Sequence, residues 1–103
     1  MISLTILYPK TADSQFDMRY YLDKHVPLVR QRLTSLGLVQ ISLEEGLTGN
    51  TPDAPAQYAV IGHMYFGSSN DLQEALATHG QELIDDIPNF TNVQPLMQVS
   101  QVL

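Results

Sequence analysis

The chain reads as an α+β domain whose elements run in the order β-α-β-β-α-β, and three observations carry that reading. Stretches rich in strand formers, with period-two alternation, occupy residues 2–8, 38–47, 57–66 and 93–103. Two stretches of helical periodicity, near 17–36 and 71–87, separate the first strand from the second and the third from the last. No linker, repeat or low-complexity run divides the 103 residues, so residues 1–103 fit a single domain.

In the first strand Ile2, Leu4 and Ile6 alternate with Ser3 and Thr5, and Pro9 ends the run. Residues 10–15 form a polar loop. Asp17 is placed to cap the following helix, with Phe16 and Tyr21 positioned to close a hydrophobic staple over its start. Leu22, Val26, Val29, Leu33 and Leu36 recur at helical spacing and predict one buried stripe. Gly37 stands where a helix commonly stops. Pro27 lies inside that helix. It supplies no backbone donor and its ring crowds the carbonyl of Asp23, so a break is expected there, with His25 two residues before it.

The second strand puts Val39, Ile41 and Leu43 on one face and Gln40, Ser42 and Glu44 on the other. Residues 46–55, rich in Gly, Pro, Asn and Thr, form a long loop before the third strand. After a turn at 67–70, Ser68 or Ser69 caps a helix marked by Leu72, Ala75, Leu76 and His79. Gly80 is expected to interrupt it, leaving 81–87 as a short further piece, with His79 a charge complement at the helix C-terminus. Pro95 near the start of the last strand predicts an edge position or a bulge.

This order is the split-βαβ, ferredoxin-like arrangement, an antiparallel sheet with both helices on one face. The other face should be polar if water covers it. The third strand does not fit that: Tyr58, Val60, Gly62, Met64 and Phe66 form one set, and Ala59, Ile61, His63 and Tyr65 form the other. With Met64 and Phe66 under the helices, Ile61, His63 and Tyr65 face the uncovered side. The simplest cover is the same face of a second copy, giving a homodimer; Ser3, Thr5, Gln40 and Ser42 add polar groups to its interior. Tyr8 could face either way.

Eleven acidic and five basic residues give a formal net charge of −6, which argues against nucleic acid and anionic membranes as partners. There is no cysteine, so disulfides and thiolate chemistry are excluded. No apolar run approaches the roughly 20 residues of a membrane span, and the N-terminus lacks a secretory layout. A soluble, cytoplasmic protein is expected. The scattered Gly46, Gly49 and Gly67 make no phosphate loop, and no zinc-ligand spacing occurs. His25 or His63 could serve a haem iron, but no pattern selects that. The expectation is therefore no cofactor and no metal.

Leu7-Tyr8-Pro9-Lys10, Phe16-Asp17, Tyr20-Tyr21 and then His25-x-Pro27-Leu28-Val29 together resemble the EthD family, named for ethyl tert-butyl ether degradation. Tyr65-Phe66-Gly67-Ser68 and Gln94-Pro95-Leu96-Met97 fit the same pattern, so the resemblance spans nearly the whole chain. It implies a dimeric α+β barrel, in which two ferredoxin-like sheets pair and each subunit holds a pocket. Superfamily relatives include cofactor-free monooxygenases of polyketide aromatics, lactone isomerases and haem-binding enzymes. The family name itself records an association with oxidative ether breakdown.

His25 is the leading catalytic candidate. It follows Tyr21 by four positions, so the two rings can be neighbours on the helix, at the edge of the apolar stripe. Imidazole titrates near pH 6.5 and suits general acid or base work. The alternative is that His25 bonds the carbonyl freed by Pro27. His63, beside Tyr65, is either a ligand contact or a hydrogen-bonded core residue. Two functions stay open. One is a cofactor-independent oxidoreductase of the monooxygenase type, or an isomerase, with a small hydrophobic or aromatic substrate against Tyr8, Tyr21, Ile61, His63 and Tyr65. The other is a non-catalytic carrier that holds such a molecule for a separate degradative oxidase. A third possibility, a face built only to dimerise, predicts a filled interior.

Overall fold

Four strands make one antiparallel sheet in the computed structural model, which describes residues 1–103. They are β1 (Ile2–Pro9), β2 (Leu38–Glu45), β3 (Tyr58–Phe66) and β4 (Leu96–Gln101), in the spatial order β2-β3-β1-β4. Together with the helices between them they form the ferredoxin-like β-α-β-β-α-β fold. β4 is an edge strand, and Pro95 stands immediately before it, where no ladder donor is required.

Between β1 and β2 the chain is helical from 18 to 36. It comprises α1 (Met18–Tyr20), a π turn (Tyr21–His25), α2 (Val26–Leu33) and a 3₁₀ turn (Thr34–Leu36). The Asp17 side chain accepts from the Tyr20 amide at 3.0 Å, and Phe16 meets Tyr21 edge-on with centroids 5.1 Å apart. Gly37 follows with a φ of 100°, the left-handed conformation that stops the helix without a Cβ penalty.

The expected break at Pro27 does not occur. The chain widens into the π turn before the proline, and the Val26 amide bonds the Tyr21 carbonyl five residues back. This spacing has a consequence for the buried face. Tyr21 takes the place that α periodicity assigned to Leu22, so Tyr21 is buried and Leu22 is 47% exposed. His25, expected at the stripe's edge, is only 5% exposed.

A β-bulge between Leu38 and Gln40 likewise shifts β2. Leu38, Ile41 and Leu43 pack toward the core, whereas Val39 is exposed. The second long helix, α3 (Ser69–Asp86), is capped by the Ser68 side chain and runs without interruption through Gly80. His79 therefore lies in the helix interior, 3.6 Å from Glu82, and not at its C-terminus. A 3₁₀ turn (Ile87–Asn89) follows α3.

The core lies between the helices and one sheet face. Phe66 and Leu33 are completely buried in a cluster with Leu4, Met64, Leu72 and Ala75. Truncating such a side chain to alanine costs about 2–5 kcal/mol. A second cluster joins Tyr8, Tyr21, Val26, Val60, Ile87 and Phe90. No helix is long and apolar enough to cross a membrane.

Candidate functional site

The π turn and the end of α3 meet at His25 and Asp86. His25 Nδ1 lies 2.8 Å from Asp86 Oδ2. The other carboxylate oxygen, Oδ1, accepts from the Tyr20 hydroxyl at 2.7 Å and from Asn89 Nδ2 at 3.0 Å. Burial opposes ionisation of Asp86, but the hydrogen bonds from Tyr20, Asn89 and His25 outweigh it and hold its carboxyl below the usual carboxylate range. An ionised carboxylate only accepts, so His25 Nδ1 carries the hydrogen of that bond. In neutral imidazole this leaves a basic lone pair on Nε2.

His25 Nε2 has no hydrogen-bond partner in the protein, yet every side-chain nitrogen or oxygen sealed from solvent has one. It therefore borders open space. The Tyr8 and Tyr21 hydroxyls are in the same position: both residues are buried, and neither hydroxyl bonds a protein group. Burial pushes the Tyr21 phenol up to about 12, and burial with the neighbouring Tyr21 raises Tyr8 further. Both remain protonated donors at neutral pH.

The imidazole is held on its faces as well as at Nδ1. It stacks on Tyr21 with centroids 5.8 Å apart and 18° between planes, and Phe90 lies at 4.6 Å. Phe90 and Phe16 also meet Tyr8 edge-on, at 5.7 and 5.2 Å. Edge-to-face pairs of this kind add about 0.5–1.5 kcal/mol each beyond their buried area.

A cavity of about 370 Å³ opens beside this box, between the sheet and α3. Leu4, Ile6, Tyr8, Met64 and Met97 line it from the strands, Leu76, Gly80, Leu83 and Ile84 from α3, and His25 from the π turn. Its size lies within the range of small-molecule sites. No lysine or arginine lines it. An apolar groove bounded by 91–97 adjoins the cavity, sharing Ile84, Ile87 and Met97 with it.

The six residues singled out from the sequence divide between the two sheet faces. Tyr8, Tyr21 and His25 gather on the helix side. Ile61, His63 and Tyr65 project from the opposite face, in register with Leu7, Thr5 and Ser3. There His63 Nδ1 meets Thr5 Oγ1 at 3.1 Å, its Nε2 is 3.9 Å from Glu44, and its ring stacks on Tyr65. Ser42 Oγ is 3.4 Å from the Tyr65 hydroxyl. The His63 cluster and the His25 cavity are thus separate by construction of the sheet. No three His, Asp or Glu side chains converge as a metal-ligand set.

Asp86, Tyr20 and Phe90 complete the site and were not foreseen. Asp86 carries a usable signal: an acid in the last turn of a helix opposes the helix dipole, so it calls for a partner elsewhere. Phe90 has none, because only the fold brings residue 90 against residue 25.

Residues 9–94 match the EthD domain. A solved EthD-like protein from Ralstonia eutropha JMP134 is 32% identical, with a TM-score of 0.92 over 99% of this chain and 91% of that one. An ethyl tert-butyl ether degradation (EthD) family protein from Bacillus halodurans C-125 is 20% identical, with a TM-score of 0.78 over 100% of this chain and 99% of its own. A candidate monooxygenase from Shewanella loihica PV-4 shares the fold at 14% identity and a TM-score of 0.62, over 99% of this chain and 93% of that one. No protein of curated function matches the sequence. The match over residues 9–94, with the 32% identical structure across nearly the whole chain, establishes that the protein belongs to the EthD domain family.

Proposed function

We propose that this protein is a small enzyme that uses no organic cofactor and in which His25 is the general base. The observation that carries the reading is the pairing of His25 with Asp86 at the wall of an apolar cavity, with Nε2 left free. Asp86 selects the tautomer and stabilises the imidazolium once Nε2 has taken a proton. The substrate is a small hydrophobic or aromatic molecule with an acidic O–H or C–H. Its anion either reacts with dioxygen or is reprotonated at another atom. The ether-degradation name carried by a family member and the monooxygenase assignment of a fold neighbour favour the oxidative outcome.

Two copies are proposed to pair through the sheet face that carries Ile61, His63 and Tyr65, leaving one His25 cavity in each subunit. Half-buried Leu7, Ile61 and Tyr65 and exposed Leu96 on that face support this, since a solvated face would be more uniformly polar.

The second reading is a carrier that holds the same ligand for a separate oxidase, supported by the cavity's almost wholly apolar lining. Once a ligand is known, His25→Ala separates the two. Ligand affinity retained with turnover lost supports the enzyme. Loss of binding alone, in a wild type that binds the ligand without turning it over, supports the carrier, and turnover unchanged by the substitution removes His25 as the base.

A further inference from the structure

Gly62 is an expensive residue for the middle of a strand, because it loses much backbone freedom and packs no side chain. It pairs with Ile6 on β1 and Leu43 on β2, in the row that faces the helices. A β-carbon there would stand 3.1 Å from the Tyr21 hydroxyl and 3.6 Å from Leu43 Cδ2. The missing side chain leaves a lobe of about 30 Å³, bordered by Tyr8, Tyr21, His25 and Gly62. Tyr8 and His25 also border the main cavity, so the two spaces meet at these residues.

The lobe is large enough for one water-sized group. The Tyr21 and Tyr8 hydroxyls, on residues 4% and 1% exposed, have no partner in the protein, and neither oxygen is sealed from solvent, so both face open space. Both stay protonated because burial raises them. What each lacks is an acceptor. No lysine or arginine borders the lobe or the cavity. Of the two histidines on the lobe, His25 is paired with the Asp86 carboxylate and His63 with Thr5 and Glu44 on the other sheet face, so a ligand that arrives already anionic would meet no net positive charge.

Resting on the reading of this cavity as the ligand site, we propose that the Gly62 lobe is an oxygen subsite. It receives one neutral oxygen atom, to which the tyrosine hydroxyls donate. The ligand class is therefore an uncharged phenol or ketone on an apolar body. Water is the second source of such an oxygen and occupies the lobe when no ligand does.

Calorimetric titration with phenol and with toluene compares two ligands that differ by one oxygen. Tyr21→Phe is expected to lower the ratio of phenol to toluene affinity about tenfold, the worth of one such hydrogen bond. Gly62→Ala, whose methyl would stand 3.1 Å from the Tyr21 hydroxyl and so crowd both it and the lobe, should lower phenol affinity more than toluene affinity. Crystals of the free protein should hold a water within hydrogen-bond distance of the Tyr21 hydroxyl, and the phenol oxygen should replace it. A ratio unchanged in both variants overturns the proposal, as does a phenol oxygen seated outside the lobe or a water that persists beside bound phenol. These readouts are independent of turnover. Loss of the general-base reading leaves the affinity ratio intact, and loss of the subsite leaves the His25→Ala result intact.

Discussion

His25 Nδ1 and Asp86 Oδ2 stand 2.8 Å apart, joining the end of a π turn to the last residue of α3 across 61 positions of sequence. Each element is shaped for the contact. The π turn carries His25 into the interior, and α3 ends on an acid whose charge its own dipole disfavours. The histidine's partner is thus a distant carboxylate and not the carbonyl freed by Pro27.

Asp86→Asn keeps the shape of the side chain but no longer requires a hydrogen on His25 Nδ1. Turnover of a proton-abstraction substrate should fall by about 100-fold or more, within the usual contribution of a general base, with little change in ligand affinity. Steady-state kinetics beside calorimetric binding would check this. A loss of affinity with unchanged kcat would assign Asp86 to ligand binding instead.

The same carboxylate predicts an acid limb. Asp86 is held below its ordinary value of 3.8, so the folded state binds its proton more weakly than the unfolded chain does. Its contribution to stability is present above that ordinary value and is lost as pH falls through the lowered one. Urea unfolding from about pH 6 to about pH 3 should show a shallower loss of stability in Asp86→Asn than in the wild type. Near neutral pH the variant should be less stable by about 1–3 kcal/mol, because a charge-assisted hydrogen-bond cluster is weakened.

Strand alternation and caps were legible because they are local. Asp17, Gly37, Ser68 and Pro95 act on their immediate neighbours, and the two faces of β3 follow from its period of two. The π turn was not legible in detail. Pro27 signals that the helix must change, but one missing donor does not say whether the chain breaks or widens. That choice moves the buried face by one residue, from Leu22 to Tyr21. Phe90 and Asp86 reach His25 only through the packing of α3 and the 3₁₀ turn after it, which no nearby pattern encodes.

The displaced stripe can be measured. Leu22→Gln should change stability by no more than about 0.5 kcal/mol, as at an exposed position, whereas Val29→Ala, at a buried one, should cost about 1–3 kcal/mol. Chemical denaturation of the two variants decides it. A large loss in Leu22→Gln would restore an unbroken α-helical face.

Gly80 lies buried inside α3 and borders the cavity. A methyl there would meet Leu76 Cβ at 3.5 Å, an ordinary contact, so space does not forbid alanine. Gly80→Ala should stabilise the helix by about 1 kcal/mol and raise the melting temperature by about 4–8 °C. It should also weaken binding of the bulkier ligands by narrowing the cavity. Higher stability with undiminished binding would show that this glycine leaves room for nothing.

Ile61 offers a separation of assembly from site. It sits half-buried on the open sheet face, opposite Leu7 on one neighbouring strand and Glu44 on the other. In a single subunit Ile61→Lys gains an opposite charge directly across the ladder, so the fold itself should be little affected. In a pair of subunits joined through this face, the same lysine is carried into a desolvated contact and repels its symmetry mate. Sedimentation at micromolar concentration should therefore report a dimer for the wild type and a monomer for the variant. Because the His25 cavity lies on the other side of the sheet, ligand binding should survive in that monomer. A wild type that sediments as a monomer would remove the paired face, and loss of binding on dissociation would mean that the partner subunit completes the cavity.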